Sequence, residues 1–229
     1  MKTIGMIGGL SWESSSVYYQ LINREVQKRL GGMHSAKTLM YSFDFEDMEA
    51  HQSKGRWDEA AKLMADGAAR LASADFLILC CNTAHRMADA AQKAAGIPLL
   101  HIADPLGAKI RADGASRVGL IGSVHTMGDG RILMDRLRRH YDLDIVVPDE
   151  ADRIEVDRVI KDELCRGQFL EASRASYRAV IARLVAKGCE GVILGCTEIP
   201  LLVKPGDATV PLYDTTTLHA MAAVDMALA

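Results

Sequence analysis

The sequence predicts an α/β fold made of two similar parallel-sheet domains. Short apolar runs bounded by turn residues recur along the 229-residue chain, helical patterns lie between most of them, and three of the runs return at a nearly constant offset. Strands that alternate with helices indicate a parallel sheet. With 49% hydrophobic residues, the chain also has enough apolar side chains to form a globular core.

Eight runs are predicted as strands, and they cover residues 4–7, 39–43, 76–79, 98–102, 118–121, 145–147, 192–194 and 210–213. A helix is predicted over residues 17–30, where apolar side chains recur every four residues from Tyr18 to Leu30. The pair Gly31-Gly32 follows directly, and glycines at this position are typical of a helix end.

An internal repeat links the two halves of the chain. The matching segments are residues 3–8 with 117–122, 76–83 with 191–197, and 98–99 with 211–212. The offsets are 119 − 5 = 114, 196 − 81 = 115 and 211 − 98 = 113. Three elements at one offset, about half the chain length, indicate a duplicated domain.

We therefore expect a first domain over residues 1–102, with a C-terminal helix at 214–229 that packs back on it, and a second domain over 103–213. Open α/β sheets bind ligands beyond the carboxyl ends of their strands, so the active site is expected in the cleft between the domains.

Charge and composition exclude several classes of function. The net charge is −3 and the chain carries no basic stripe, which argues against a nucleic-acid partner. No apolar run is long enough for a secretory core or a membrane span, so we expect no membrane partner and a cytoplasmic protein. Five cysteines, an odd number without Cys-x-x-Cys spacing, favour reduced thiols over disulfides and disfavour a metal site.

Two cysteines stand at equivalent positions of the repeat, where a strand ends and a helical pattern begins. Cys81 is followed by Asn82 and Thr83, and Cys196 by Thr197 and Glu198. Backbone N–H groups and polar side chains at such a turn suit an anionic group, such as a carboxylate. The helix N-terminus is expected to lower the pKa of the thiol toward neutrality.

These signatures resemble the cofactor-independent aspartate/glutamate racemase family over essentially the whole chain. The segments that carry the resemblance are Ile7-Gly8-Gly9-Leu10-Ser11-Trp12-Glu13-Ser14, Cys81-Asn82-Thr83-Ala84-His85 and Gly195-Cys196-Thr197-Glu198-Ile199-Pro200. The resemblance implies an amino-acid racemase that needs no cofactor, is commonly a homodimer, and acts on a small acidic amino acid. One cysteine would take the α-proton and the other would return one to the opposite face, as inversion by proton transfer requires.

Residues 123–127 follow a predicted strand and mirror residues 9–12, which adds Thr126 to the substrate-binding residues that the cysteine turns and the resemblance indicate. These substrate-binding residues are Leu10, Ser11, Gln52, Asn82, Thr83, Thr126, Arg166, Thr197 and Glu198. Arg166 stands where the family tends to carry lysine, and its guanidinium would grip the side-chain carboxylate of the substrate. Without the family, Arg166 is equally a solvated residue at a helix end, and Gln52 is more simply a surface glutamine.

Other interpretations stay open. A hydantoin racemase, a maleate isomerase or a decarboxylase of the same superfamily would share the cysteines, and a cysteine hydrolase would need one nucleophile and a general base. The run from Gly5 to Gly9 fits neither common nucleotide-binding pattern. His85 and His125 are more simply packing or orienting residues than triad partners, and Cys80 is expected in the core.

Overall fold

The computed structural model describes all 229 residues. Seven strands form two parallel sheets. The strands are β1 (Ile4–Gly8), β2 (Thr38–Ser42), β3 (Phe76–Leu79), β4 (Arg117–Gly122), β5 (Asp144–Val146), β6 (Val192–Gly195) and β7 (Leu212–Asp214). One sheet has the order β2-β1-β3, and the other has the order β5-β4-β6-β7. Every pairing is parallel, which confirms the predicted α/β class.

Eleven α-helices connect and flank these strands. They are α1 (Trp12–Leu30), α2 (Phe45–Gln52), α3 (Trp57–Ala69), α4 (Ala88–Ala95), α5 (Ala103–Ala112), α6 (Val124–Gly128), α7 (Met134–Tyr141), α8 (Glu150–Asp162), α9 (Glu171–Ala186), α10 (Ile199–Leu202) and α11 (Thr215–Leu228). Three 3₁₀ helices cover Thr83–Met87, Leu164–Arg166 and Pro205–Asp207.

The first helix shows how local sequence sets its limits. Ser11 caps α1, because its hydroxyl accepts a hydrogen bond from the backbone N–H of Ser14. Gly31 ends it with φ 76°, and the Gly31 N–H donates to the carbonyl of Gln27 at 2.8 Å. The helix thus ends at the predicted glycine and begins five residues before the predicted start.

The chain divides into two compact units. The first unit contains Met1–Ile102 and His219–Ala229, and the second contains Ala103–Leu218. The first sheet lies between two apolar clusters, one formed with α3 and α4 and the other with α1 and α11. In the second unit, one face of the sheet packs against α8, α9 and α10. Helices on both faces of the first sheet make that unit doubly wound.

The predicted strand over residues 98–102 is reduced to a single bridge. Leu99 pairs with Leu77, and the flanking bonds run from Leu77 N–H to the Pro98 carbonyl and from Leu100 N–H to the Leu77 carbonyl. The ladder stops there because the N–H of Ile102 donates to the ring of His85 instead of to a strand. In the second unit, β7 occupies the corresponding place as a full strand.

Candidate active site

The first cysteine turn follows β3 and leads into the 3₁₀ helix Thr83–Met87. Cys80 is buried in the cluster formed with α1 and α11, whereas Cys81 is half-buried against the opposite cluster. This alternation confirms that Cys80 belongs to the core. Burial raises the pKa of Cys80, which therefore remains a thiol at neutral pH.

A buried histidine fixes the backbone of this turn. The Nε2 atom of His85 accepts the N–H of Ile102 at 3.1 Å, so the proton of the neutral ring must sit on Nδ1. The Nδ1–H group then donates to the carbonyl of Cys81 at 3.0 Å. Burial, with His101 and His219 close by, holds the pKa of His85 well below its usual range. His85 is therefore a neutral orienting residue for the Cys81 turn.

The loop after β1 holds two of the predicted substrate residues, Leu10 and Ser11. The N–H of Gly9 donates to Ser15 Oγ at 2.8 Å, and Ser15 Oγ donates in turn to the carbonyl of Ser11 at 3.1 Å. Gly9 has φ +81°, and a Cβ there would lie 2.2 Å from the carbonyl oxygen of Phe43. Only glycine fits this close approach of the loop to the end of β2.

Gln52 is the last residue of α2, and it is buried. It is 5% exposed, which overturns the simpler view of it as a surface glutamine. Asn82 is also buried, and Thr83 is half-buried at the start of the 3₁₀ helix. The buried amide of Asn82 and the half-buried hydroxyl of Thr83 follow Cys81 directly and are suited to holding a polar ligand.

The second cysteine turn, after β6, centres on a carboxylate. Cys196 Sγ donates to Glu198 Oε2 at 3.0 Å, and Thr197 Oγ1 donates to the same oxygen at 2.9 Å. Thr197 and Glu198 are buried, and Cys196 is half-buried. Burial, reinforced by the charge and hydrogen bond of Glu198, raises the pKa of Cys196 well above its usual value.

The expected effect of a helix N-terminus on Cys196 is therefore wrong. The helix that follows, α10, is only four residues long and begins at Ile199, so its dipole is small. Desolvation and a neighbouring carboxylate both disfavour the thiolate, and together they outweigh the dipole. Cys196 is a protonated thiol at neutral pH.

Thr126 is fully buried in α6 and lies beside the strand that leads to Cys196. Its hydroxyl is 3.1 Å from Ser123 Oγ. A Cβ at Gly195 would lie 2.9 Å from Leu120 Cδ1 and 3.1 Å from Thr126 Cγ2. The glycine before Cys196 thus permits β6, β4 and α6 to pack closely at this end of the sheet.

Arg166 lies on an exposed turn between α8 and α9, and its side chain forms no ion pair with the protein. The preceding residue, Cys165, is also exposed. The sequence predicts no role for Cys165, but its electrostatic interaction with Cys196 is among the effects that raise the pKa of Cys196. The turn that carries Arg166 is therefore within electrostatic reach of Cys196.

The predicted site residues are distributed between the two units. The first unit holds Leu10, Ser11, Gln52, Cys81, Asn82 and Thr83, and the second holds Thr126, Arg166, Cys196, Thr197 and Glu198. Sequence reasoning missed Ser15 and Glu163, which support the loop of Ser11 and the turn of Arg166. No group of three or more His, Cys, Asp or Glu side chains is arranged to hold a metal ion. None of the helices is both long and apolar enough to cross a membrane.

The chain has two α/β units with parallel sheets, and in each a cysteine follows within two residues the strand that pairs with β1 or β4. These features define a class of two-domain α/β protein. The family model for Asp/Glu/Hydantoin racemase matches residues 7–223, and the chain belongs to that family. This membership supports an enzyme of the racemase superfamily.

Solved structures agree with this assignment. A candidate Asp/Glu racemase from Yersinia pestis is 47% identical, with a TM-score of 0.93 and full coverage of both chains. An aspartate racemase homologue from Pyrococcus horikoshii is 30% identical, with a TM-score of 0.83 and full coverage of both chains. A relative found by sequence comparison is the glutamate racemase of Pseudomonas aeruginosa. It is 27% identical over 209 residues, which cover 87% of this chain and 68% of the relative.

Proposed function

We propose that this protein interconverts the L and D forms of aspartate, glutamate or both, without a cofactor, by proton transfer between the α-carbon and two cysteines. The observation that carries the proposal is the equivalence of the two cysteine turns. β3 and β6 each pair with the central strand of their sheet, β1 or β4, and Cys81 and Cys196 follow them at the same offset of the repeat.

The chemistry requires a base on one face of the α-carbon and an acid on the other. A thiolate removes the α-proton and becomes a thiol, and the electron pair left on carbon spreads into the carboxylate. The second cysteine gives its proton to the opposite face and becomes a thiolate. The raised pKa of Cys196 suits it to be the acid, with Cys81 as the base, for one enantiomer, and the two roles exchange for the other.

The remaining residues are proposed to hold the substrate. Asn82, Thr83, Ser11 and Thr197 would donate to the α-carboxylate, which stabilises the charge that grows there as the proton leaves. Leu10, Gln52 and Thr126 would complete the pocket, and Arg166 would bind the side-chain carboxylate through a charge-assisted pair. Glu198 would hold the proton of Cys196 through its hydrogen bond. A homodimer and a cytoplasmic location remain predictions.

Exchange in heavy water tests substrate and chemistry together. We expect each acidic L-amino acid, incubated with the enzyme in D₂O, to gain deuterium at the α-carbon by NMR as the D form appears. A neutral amino acid of similar size and a 5-substituted hydantoin serve as comparison substrates, because hydantoin racemases belong to the same family. Exchange on the hydantoin alone, or trapping of an acyl group on one cysteine, would refute the proposal.

A further inference from the structure

The turn that carries Arg166 is closed by the backbone of one buried residue, Glu163. The carbonyl of Glu163 accepts the N–H of Arg166 and the N–H of Gln168, both at 3.0 Å. The N–H of Glu163 donates to the carbonyl of Val159 at 3.1 Å and so joins the turn to the last residues of α8. The path of the turn therefore depends on where Glu163 is held.

The side chain of Glu163 is held from two helices. Its Oε1 atom accepts from Arg158 Nη1 at 3.0 Å, and its Oε2 atom accepts from the hydroxyl of Ser173 on α9. The Glu163 side chain is only 8% exposed, and Ser173 is buried. A buried carboxylate is costly without partners, and here both oxygens have one. The carboxylate thus ties the end of α8 to the start of α9, across the segment that contains Arg166.

We propose that Glu163 is a positioning residue, which holds the turn that carries Arg166 where the guanidinium can reach the side-chain carboxylate of the substrate. The inference rests on the proposed function, since it deepens the role given there to Arg166. Arg166 has no ion pair to fix its side chain. The turn fixes the backbone from which this side chain extends, and a preformed turn reduces the entropy lost when the substrate binds.

Replacing Glu163 by Gln tests this anchor. The amide oxygen can still accept from Arg158 and the amide NH2 can donate to Ser173, but the charge is lost, so the bond to Arg158 weakens and the turn loosens. For an acidic substrate, we expect KM to rise about two- to tenfold, the fold-change that corresponds to ordering one long side chain. We expect kcat, and KM for a neutral amino acid, to change little. Ser173→Ala should act in the same direction, since it removes the contact between the Glu163 carboxylate and α9.

A second readout does not depend on activity. Hydrogen exchange of the Arg166 and Gln168 amides, followed by mass spectrometry, should accelerate in Glu163→Gln, because both amides bond to the Glu163 carbonyl. Glu155→Gln is the matched control: Glu155 also pairs with Arg158, at 2.8 Å through each oxygen, but it is not part of the turn.

The outcomes separate the inference from the proposed function. If the turn amides and the KM for the acidic substrate respond equally in Glu163→Gln and Glu155→Gln, the anchoring role is wrong. If the wild-type enzyme exchanges no α-proton of any amino acid, the proposed function fails, while amide exchange still decides whether Glu163 holds the turn. Arg166→Ala should raise KM by a larger factor for acidic substrates than for a neutral amino acid. An equal increase for both would overturn the assignment of Arg166 as the carboxylate-binding residue.

Discussion

At the scale of single residues, the two cysteine turns differ in the groups that contact them. Glu198 accepts hydrogen bonds from both Cys196 and Thr197, so the second turn contains a buried carboxylate beside its thiol. The first turn has Asn82 and Thr83 after its cysteine and a neutral histidine bonded to its backbone. The two thiols therefore need not share a protonation state, although they occupy equivalent positions of the repeat.

The first prediction concerns the thiol of Cys196. Because the charge and hydrogen bond of Glu198 help to raise its pKa, Glu198→Gln should lower that pKa. The rate of alkylation at Cys196, followed against pH by mass spectrometry, should then rise at a lower pH than in the wild type. Asp162→Asn, which removes a charge from the exposed surface of the same unit, should leave the profile in place. An unchanged profile in Glu198→Gln would contradict this account.

The second prediction concerns the pair of cysteines. A serine hydroxyl cannot supply a base near neutral pH, so Cys81→Ser and Cys196→Ser should each lose racemisation. The cysteine that remains should still exchange the α-proton on the face it reaches, so the two variants should exchange opposite enantiomers in D₂O. Because the pKa of Cys196 is raised, exchange in Cys81→Ser should be the slower of the two and should increase with pH. Cys80→Ser is the comparison, because Cys80 is buried in the core. Exchange of the same enantiomer by both variants would disprove the two-base mechanism.

At the scale of elements, a cluster of three histidines connects the 3₁₀ helix after Cys81 to α1 and α11 through ring contacts and hydrogen bonds. His85 lies against His101 and His219, with ring centroids 4.6 Å and 5.6 Å away. His219 bonds to the hydroxyl of Tyr18 through Nδ1 and to the carbonyl of Leu100 through Nε2, both at 2.9 Å. Protonation of His85 would place a donor against the N–H of Ile102 and add charge to this cluster.

The third prediction follows from that cluster. The pKa of His85 is depressed in the fold, so on acidification the unfolded chain binds a proton near pH 6.5 while the folded ring stays neutral. The contribution of neutral His85 to the free energy of unfolding is therefore fully present above pH 6.5. It is lost as the pH falls below 6.5, by up to about 1.4 kcal/mol per pH unit for one group. Urea unfolding between pH 7.5 and 5 should show a smaller pH dependence in His85→Gln. The exposed His34→Gln should keep the wild-type slope; equal slopes for all three proteins would refute the role of His85.

The fourth prediction concerns the loop between β1 and α1. Gly9→Ala adds a Cβ that meets the backbone of Phe43, in a conformation with φ +81°. We expect a loss of roughly 1–3 kcal/mol from strain alone, with more from the collision, in the free energy of unfolding. Gly31→Ala is the matched control, since Gly31 has φ +76° in the same unit and a Cβ there meets nothing within 4 Å. If the free energy of unfolding falls equally in both variants, the collision with the backbone of Phe43 contributes nothing to the loss in Gly9→Ala.

At the scale of the whole molecule, the proposed chemistry uses only groups that the chain supplies. The fifth prediction is therefore that racemisation survives exhaustive dialysis against a chelator and treatment with a carbonyl reagent, because neither step of the proton transfer needs a metal or pyridoxal phosphate. The activity assay on acidic amino acids before and after treatment measures this. Lost activity that returns on addition of a metal ion or pyridoxal phosphate would contradict the cofactor-free reaction.

Much of the fold could be predicted because it depends on patterns that are local in the sequence. Apolar runs indicated the strands, such as β1 and β3, and the repeat at 113 to 115 residues indicated two similar sheets. The opposite faces of Cys80 and Cys81 follow from the alternation of side chains along a strand. The prediction of a full strand at 98–102 is wrong, because the ring of His85 accepts the N–H of Ile102 that would have continued the ladder.

By itself, the sequence determined the α/β class, the duplication, the strand-end cysteines and the racemase family. Only the tertiary structure decided the state of the groups around those cysteines. The raised pKa of Cys196, the burial of Gln52, the tautomer of His85 and the anchoring of the Arg166 turn by Glu163 all depend on the tertiary environment. Desolvation and hydrogen bonding act through space, so a pattern along the chain cannot assign them before the chain is folded.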